Sequence, residues 1–173
     1  MASRPGAVRP DLEQVFRTDY ARVVALATRV LGSRDQAEDV AQEVFLAFGR
    51  STVPVQQAGG WLSVAAAHTA LNLLRSGRRR SAREEAVHPD PTVPSDVGDV
   101  ADVVVSREER SRVRAALARL PRKQAVALVL RHSGLSYADV AAALDLSPGS
   151  VGTTVRRAES ALREELTRHA PSH

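Results

Sequence analysis

Near the C-terminal end, Gly149, Thr153, Arg156 and Arg157 share one side of a helical register that opens at Ser147-Pro148. Short side chains beside two guanidinium groups suit close approach to a groove, with the arginines reaching phosphates or guanine edges. A second group lies far upstream. At about 100° per residue, Trp61, His68, Asn72, Arg75 and Arg79 fall within about 60° of one another on a helix. An indole, an imidazole, an amide and guanidinium groups on one stripe can stack on bases and hold phosphates. Each also has a plainer reading: Trp61 as a core anchor, His68 as a bystander, the arginines as a solvated helix end. A third group, Asp35, Glu38, Asp39, Gln42 and Glu43, occupies one face of another helix. Acidic residues near a helix start are favoured by its dipole, so this face is either simply solvated or a docking surface for a basic protein.

None of these groups makes or breaks bonds. The chain has no cysteine, and its five histidines lack metal-ligand spacing. No phosphate-cradling glycine loop and no nucleophile paired with a base can be read. The chemistry expected is recognition, with no catalytic residue, metal or cofactor.

The elements that must position these groups read as helices throughout. Hydrophobic residues make up 43% of the 173 but aromatics only 3%, and alanine and valine abound. Small-residue cores of this kind belong to closely packed helices, and no strand alternation is visible. A first helix is expected from about Asp11 to Leu31, with Leu12, Val15, Phe16, Tyr20, Val23, Ala27 and Val30 as its apolar stripe and Gly32 as its end. Ser33 to Gln36 is a capping-box pattern opening a second helix, whose core side is Ala37, Val40, Ala41, Val44, Phe45 and Phe48. Pro54, Gly59 and Gly60 mark a loop over about 49–60. A third helix then starts near Trp61, with Leu62, Ala66, Ala70, Leu73 and Leu74 on its core side.

Residues 82–105 carry three prolines and six acidic side chains against one arginine, and read as a mobile linker. Ser106 to Glu109 restarts helix with another capping box; Val113, Leu117 and Leu120 are expected inside, and Pro121 opens a further helix ending near His132 to Gly134. Ser136 caps the next helix, which buries Val140, Ala141 and Leu144. Asp145 sits where the turn needs a left-handed backbone. Ser147 is expected to cap the last helix, with Pro148 at its first position, packed inward through Val151, Val155, Ala158 and Leu162. Helix, tight turn, helix, with a polar and basic outer side, is a helix-turn-helix. The fold class is all-α, with two small helical domains, 11–81 and 106–168. They lie between a loose N-terminus (1–10), the flexible acidic linker (82–105) and a short tail (169–173).

Charge follows the same division. The chain carries a net +4 and a pI near 10.5, distributed as +4 over residues 1–80, −5 over 81–105 and +5 over 106–173. Two basic modules on an acidic tether fit polyanion binding by both ends. The N-terminus lacks a signal peptide's apolar core and no run reaches membrane-spanning length, so a soluble cytoplasmic protein without membrane insertion is expected.

On these residues the chain resembles the sigma-70 family of RNA polymerase sigma factors, and more narrowly its extracytoplasmic function (ECF) subfamily. The resemblance spans roughly 11–80 and 106–167. It rests on AEDVAQEVF at 37–45, the WL…ALNLLR run from Trp61 to Arg75, AL..LP at 116–121 and GLSYADVAAAL at 134–144. It implies an alternative sigma factor, with core RNA polymerase, promoter DNA and an anti-sigma factor as partners. The acidic side at Asp35, Glu38, Asp39, Gln42 and Glu43 would dock on the polymerase. Trp61, His68, Asn72, Arg75, Arg78, Arg79 and Arg80, with the loop before them, would hold the −10 element. Ser147, Gly149, Ser150, Thr153, Thr154, Arg156 and Arg157 would meet the −35 element. Some positions depart from the family pattern. His68 and Asn72 stand where Asn and Asp are usual, and Gly152-Thr153-Thr154 stands where two basic residues often flank a serine. Ala125 falls near the position of a customary arginine, with Arg122 and Lys123 close by. The alternative from the residues alone is a stand-alone helix-turn-helix regulator, a dimer on a palindromic site.

Overall fold

The computed structural model describes residues 9–83 and 107–170, without the side chains of 78–83. The expected loose segment up to Val8, most of the linker, the Ser106 cap and the last three tail residues lie outside the described residues. Among the described residues there are seven α-helices, one 3-10 turn and no strand. The chain divides into two compact units, Met1–Val97 and Gly98–His173. No helix described is long and apolar enough to cross a membrane.

In the first unit, α1 (Leu12–Leu31) and α2 (Arg34–Gly49) form an antiparallel hairpin. Gly32 closes α1 in the left-handed conformation (φ 73°), its N–H donating to the Thr28 carbonyl at 2.7 Å. Ser33 then caps α2, accepting from the Gln36 N–H at 3.4 Å. The start of α1 lies against the end of α2: Phe16 and Phe45 meet edge-on at 5.1 Å, and Leu12 reaches Gly49. α3 (Ala58–Arg83) packs on both. All six expected core residues of α2 are buried, together with Val15, Val23, Val24 and Ala27 of α1 and Leu62 and Ala66 of α3. Phe48 and Leu62 are shut off entirely; burial of each such side chain contributes roughly 1.5–3 kcal/mol.

Several expectations for this unit need correcting. α3 starts at Ala58, three residues early, with the 3-10 turn Val55–Gln57 before it. Gly59 belongs to its first turn, where the Arg22 side chain lies close: a Cβ at Gly59 would sit 2.7 Å from Arg22 Nη2. Leu71 is buried where Leu73 was expected, and Leu73 is 40% exposed. Burial on α3 ends at Leu71 among the side chains described, because the 26-residue helix is much longer than the 16-residue α2 it packs on. Phe16 is 42% exposed despite its place in the α1 stripe, leaning on Tyr20 at 4.5 Å. Arg9, expected within the loose N-terminal segment, is instead anchored by hydrogen bonds to Asp11 and to the Val53 carbonyl.

The second unit holds α4 (Arg107–Arg119), α5 (Arg122–His132), α6 (Tyr137–Leu144) and α7 (Pro148–Arg168). α5, α6 and α7 pack together through Val126, Leu130, Val140, Leu144 and Val151, all buried. α4 joins them through its C-terminal end: Ala116 and, just past the helix, Leu120 are buried, whereas Val113, expected inside, is 37% exposed. α4 meets α7 mainly through that end, where Arg119 Nε lies 3.9 Å from Glu165 Oε2.

Candidate nucleic-acid interface

The turn between α6 and α7 fixes the site in the second unit. Ser136 caps α6, accepting from the Asp139 N–H at 3.1 Å, and Asp145 takes the left-handed conformation at φ 53°, ψ 44°. Ser147, expected to cap α7 with its side chain, does not. Its own carbonyl already accepts from the Ser150 N–H at 2.9 Å, and Pro148 offers no N–H. Its hydroxyl instead lies 2.6 Å from that of Ser150. The two hydroxyls form an exposed polar pair at the leading end of α7.

α7 is sharply two-sided. Val151, Val155 and Ala158 are buried, and Gly149, Ser150, Thr153, Arg156 and Arg157 are exposed. Thr154 stands at the border: it is half-buried, and its hydroxyl donates to the Ser150 carbonyl at 2.9 Å. Arg156 folds back along the helix, Nε donating to the Gly152 carbonyl at 3.4 Å. Thr153, Arg156 and Arg157 line one wall of a shallow groove closed on the far side by Gln124 in the first turn of α5. The face thus combines a small leading end, hydroxyls and two guanidinium groups, which suits a DNA groove and its phosphates.

Two residues of this face escaped the sequence reading. Tyr137, 47% exposed in the first turn of α6, stands beside Gly152, where a Cβ would lie 3.6 Å from its Cε2. The Arg131 guanidinium covers its ring at 5.1 Å and donates to the Leu135 carbonyl at 3.1 Å. The only local signal was an aromatic residue opening a helix otherwise built of small residues.

In the first unit, the outer side of α3 is less uniform than its helical projection. Trp61 is half-buried, its ring 5.8 Å from Phe48, and it packs against the core. His68 is half-buried, with Asn72 Nδ2 3.4 Å from its Nδ1; Asn72 and Arg75 are exposed. The side chains of Arg78, Arg79 and Arg80 lie outside the described residues.

The polar side of α2 is open. Asp35, Asp39, Gln42 and Glu43 are exposed, while Glu38 is half-buried and accepts from Arg34 Nε at 2.9 Å. The sequence reading missed Leu46. Its projection falls amid Asp35, Asp39 and Gln42, and it is 60% exposed. An apolar side chain at a polar register was the signal. A leucine ringed by carboxylates fits a partner that is apolar at its centre and basic at its rim. No group of three or more metal-ligating side chains able to hold an ion occurs among the described residues.

Two family matches cover these same segments: residues 15–80 match Sigma-70 region 2, and residues 110–162 match Sigma-70, region 4. The chain is 31% identical over 168 residues to the ECF RNA polymerase sigma factor SigE of Mycolicibacterium smegmatis, across 95% of this chain and 65% of that one. It is also 31% identical over 154 residues to the ECF RNA polymerase sigma factor SigK of Mycobacterium tuberculosis, across 84% of this chain and 80% of that one. It therefore spans just under two thirds of the length of SigE and four fifths of SigK. In fold it is similar to the sigma factor RpoE of Bartonella quintana, solved in complex with the anti-sigma factor NepR. The TM-score is 0.69 at 21% identity, covering 93% of this chain and 99% of that one.

Proposed function

We propose a division of labour for this chain, which belongs to the sigma-70 family of RNA polymerase sigma factors and, within it, to the ECF subfamily. It binds core RNA polymerase and directs it to promoters, and it works in the cytoplasm without catalysing a reaction itself. The first unit docks on the polymerase through Asp35, Asp39, Gln42, Glu43 and Leu46, with Glu38 at the edge. The outer side of α3, from Trp61 through His68, Asn72 and Arg75 to Arg78, Arg79 and Arg80, holds the −10 element together with the connector before it. The second unit lays α7 in the major groove of the −35 element. There Thr153 and Arg157 face bases, and Ser147, Gly149, Ser150, Thr154 and Arg156 approach the backbone.

The mechanism follows from how little each unit offers alone. A specific DNA complex generally buries about 1,000–2,500 Å² of protein, and a single small module gives less. Held by the polymerase at a fixed separation, the second contact forms at high effective concentration, so two weak modules become selective together. Captured bases offset the few kcal/mol needed to unstack each one. A partner like the anti-sigma factor bound to RpoE is expected to hold this chain inactive by covering its polymerase-docking surface.

The observation that carries this reading is the two-sidedness of α7, with three small hydrophobics buried and Thr153, Arg156 and Arg157 turned outward. The test is transcription in vitro with purified core enzyme on a promoter library, with transcript 5′ ends sequenced. A shared pair of upstream elements before the mapped starts supports the reading. Starts without common elements, or identical to those of core alone, refute it.

A further inference from the structure

Arg9 sits at the meeting point of four elements of the first unit. Its Nε and Nη2 bond both oxygens of Asp11, at 2.6 and 2.8 Å, ahead of α1. Its Nη1 donates to the Val53 carbonyl at 2.7 Å, in the connector between α2 and α3. Its guanidinium lies 4.3 Å over the ring of Phe48 near the end of α2, and that ring touches Trp61 at the start of α3. The side chain is only 17% exposed.

The connector is held from its other side too. Ser51 Oγ donates to the Phe48 carbonyl at 2.8 Å and accepts from the Val53 N–H at 3.3 Å. Both backbone groups of Val53 are therefore committed, one to Ser51 and one to Arg9. Pro54 follows with its fixed φ, and the 3-10 turn Val55–Gln57 leads into α3 with all three residues exposed. A short stretch with few apolar contacts would otherwise open locally at little cost. Here a charged, forked donor, itself oriented by a carboxylate, fixes its backbone.

We infer that Arg9 is a positioning residue for promoter opening: clamped by Asp11, it holds the Ser51–Gln57 connector in the shape that receives an unstacked −10 base. This rests on the proposed role of α3 and the loop before it. Arg9 touches no DNA in this account and lies off the polymerase-docking face of α2. It should therefore affect opening and leave assembly with core enzyme intact. Lysine cannot replace it, because an ammonium cannot span Asp11 and the Val53 carbonyl as a planar fork does.

The test compares the full chain with Arg9→Ala, Arg9→Lys and, as a surface control, Arg17→Ala, whose partner Glu13 is exposed. Three quantities are measured: hydrogen exchange at the Val53 amide in the free protein, affinity for core enzyme, and −10 opening by permanganate reactivity of the holoenzyme. Both Arg9 variants should speed exchange at Val53 and keep core affinity within about twofold, while slowing opening by about tenfold or more, the loss expected for a charge-assisted hydrogen bond. On a template with the −10 bases already unpaired, most of the defect should remain, since capture is what the connector performs. Opening at the wild-type rate by both variants overturns the inference, as does equal loss of core affinity and opening. If Arg9→Ala does not fold, Arg9→Lys decides alone. A wild-type chain inert with core enzyme would instead defeat the functional reading on which the inference rests.

Discussion

Asn72 Nδ2 lies 3.4 Å from Nδ1 of His68, one turn back on the outer side of α3. The imidazole and the amide therefore lie side by side as one polar pair on that face. The usual Asn and Asp of the subfamily would present a different set of donors and acceptors at the same places. Replacing both residues (His68→Asn with Asn72→Asp) should therefore change base preference at one −10 position by roughly fivefold to tenfold. Stability should move by no more than about 0.5 kcal/mol, because Asn72 is exposed and His68 only half-buried. Transcription from a −10 library reads the first, thermal unfolding the second. Unchanged preference would remove the pair from the DNA-reading surface.

Gly152 tests the upstream contact. A Cβ there would make ordinary contact with Tyr137 at 3.6 Å and with the Arg156 guanidinium at 3.9 Å, so a side chain can be added without moving backbone. Gly152→Arg should add one phosphate contact and steepen the salt dependence of holoenzyme binding by about one unit in log–log slope; Arg157→Ala should flatten it by about the same. Binding isotherms across a salt series check both. A slope indifferent to both changes would mean that this side of α7 does not face the DNA backbone.

The α2 surface makes a separable prediction. Asp39→Arg with Glu43→Arg should weaken binding to core enzyme by about tenfold or more through charge reversal at an exposed rim. Leu46→Ala should cost up to roughly tenfold by removing the apolar centre. Neither should lower the unfolding midpoint appreciably, since none of the three side chains is buried. Fluorescence anisotropy with core enzyme, beside melting curves of the free chain, distinguishes lost docking from lost folding.

Much of this architecture was legible because helical periodicity is a strong signal where a helix is packed along its whole length. α2 is such a case: its core side was read without error from Ala37 to Phe48. Periodicity fails where packing stops, which is why Leu73 and Val113 were expected inside and lie half open. It says which residues share a side and nothing of where the neighbouring helix ends. Gly59 and Gly60 misled for another reason: glycine is tolerated in the first turn of a helix, and at Gly59 the Arg22 side chain fills the space a Cβ would take. The exposed side of α7 was read correctly, but the Ser147 hydroxyl was not, because its capping site is occupied by its own carbonyl. Arg9 lay beyond any local pattern, since its acceptor Val53 is 44 residues away.

The Arg9–Asp11 pair gives a pH prediction with a definite sign. The hydrogen bond from Arg9 holds the Asp11 carboxyl below its ordinary value of 3.8. A carboxylate depressed in the folded state contributes fully above that ordinary value and loses its contribution as pH falls through the lower, folded one. The difference in urea midpoint between the wild type and Asp11→Asn should thus be constant over about pH 5 to 8 and shrink only below 3.8. Trp61, the chain's one tryptophan, sits against Phe48 beneath Arg9 and reports the transition by fluorescence. A difference that vanished between pH 5 and 7 would point to another titrating group.

The claim beneath all of these is that neither unit selects DNA alone and that the polymerase makes them selective together. The direct measurement is the affinity of the chain for a cognate promoter fragment, identified from mapped transcripts, and for a scrambled one, each with and without core enzyme. The account predicts weak and nearly equal affinities for the free chain, and discrimination of about a hundredfold or more once core enzyme is present. Tight, selective binding of the promoter by the free chain, or no discrimination with core enzyme bound, would contradict it.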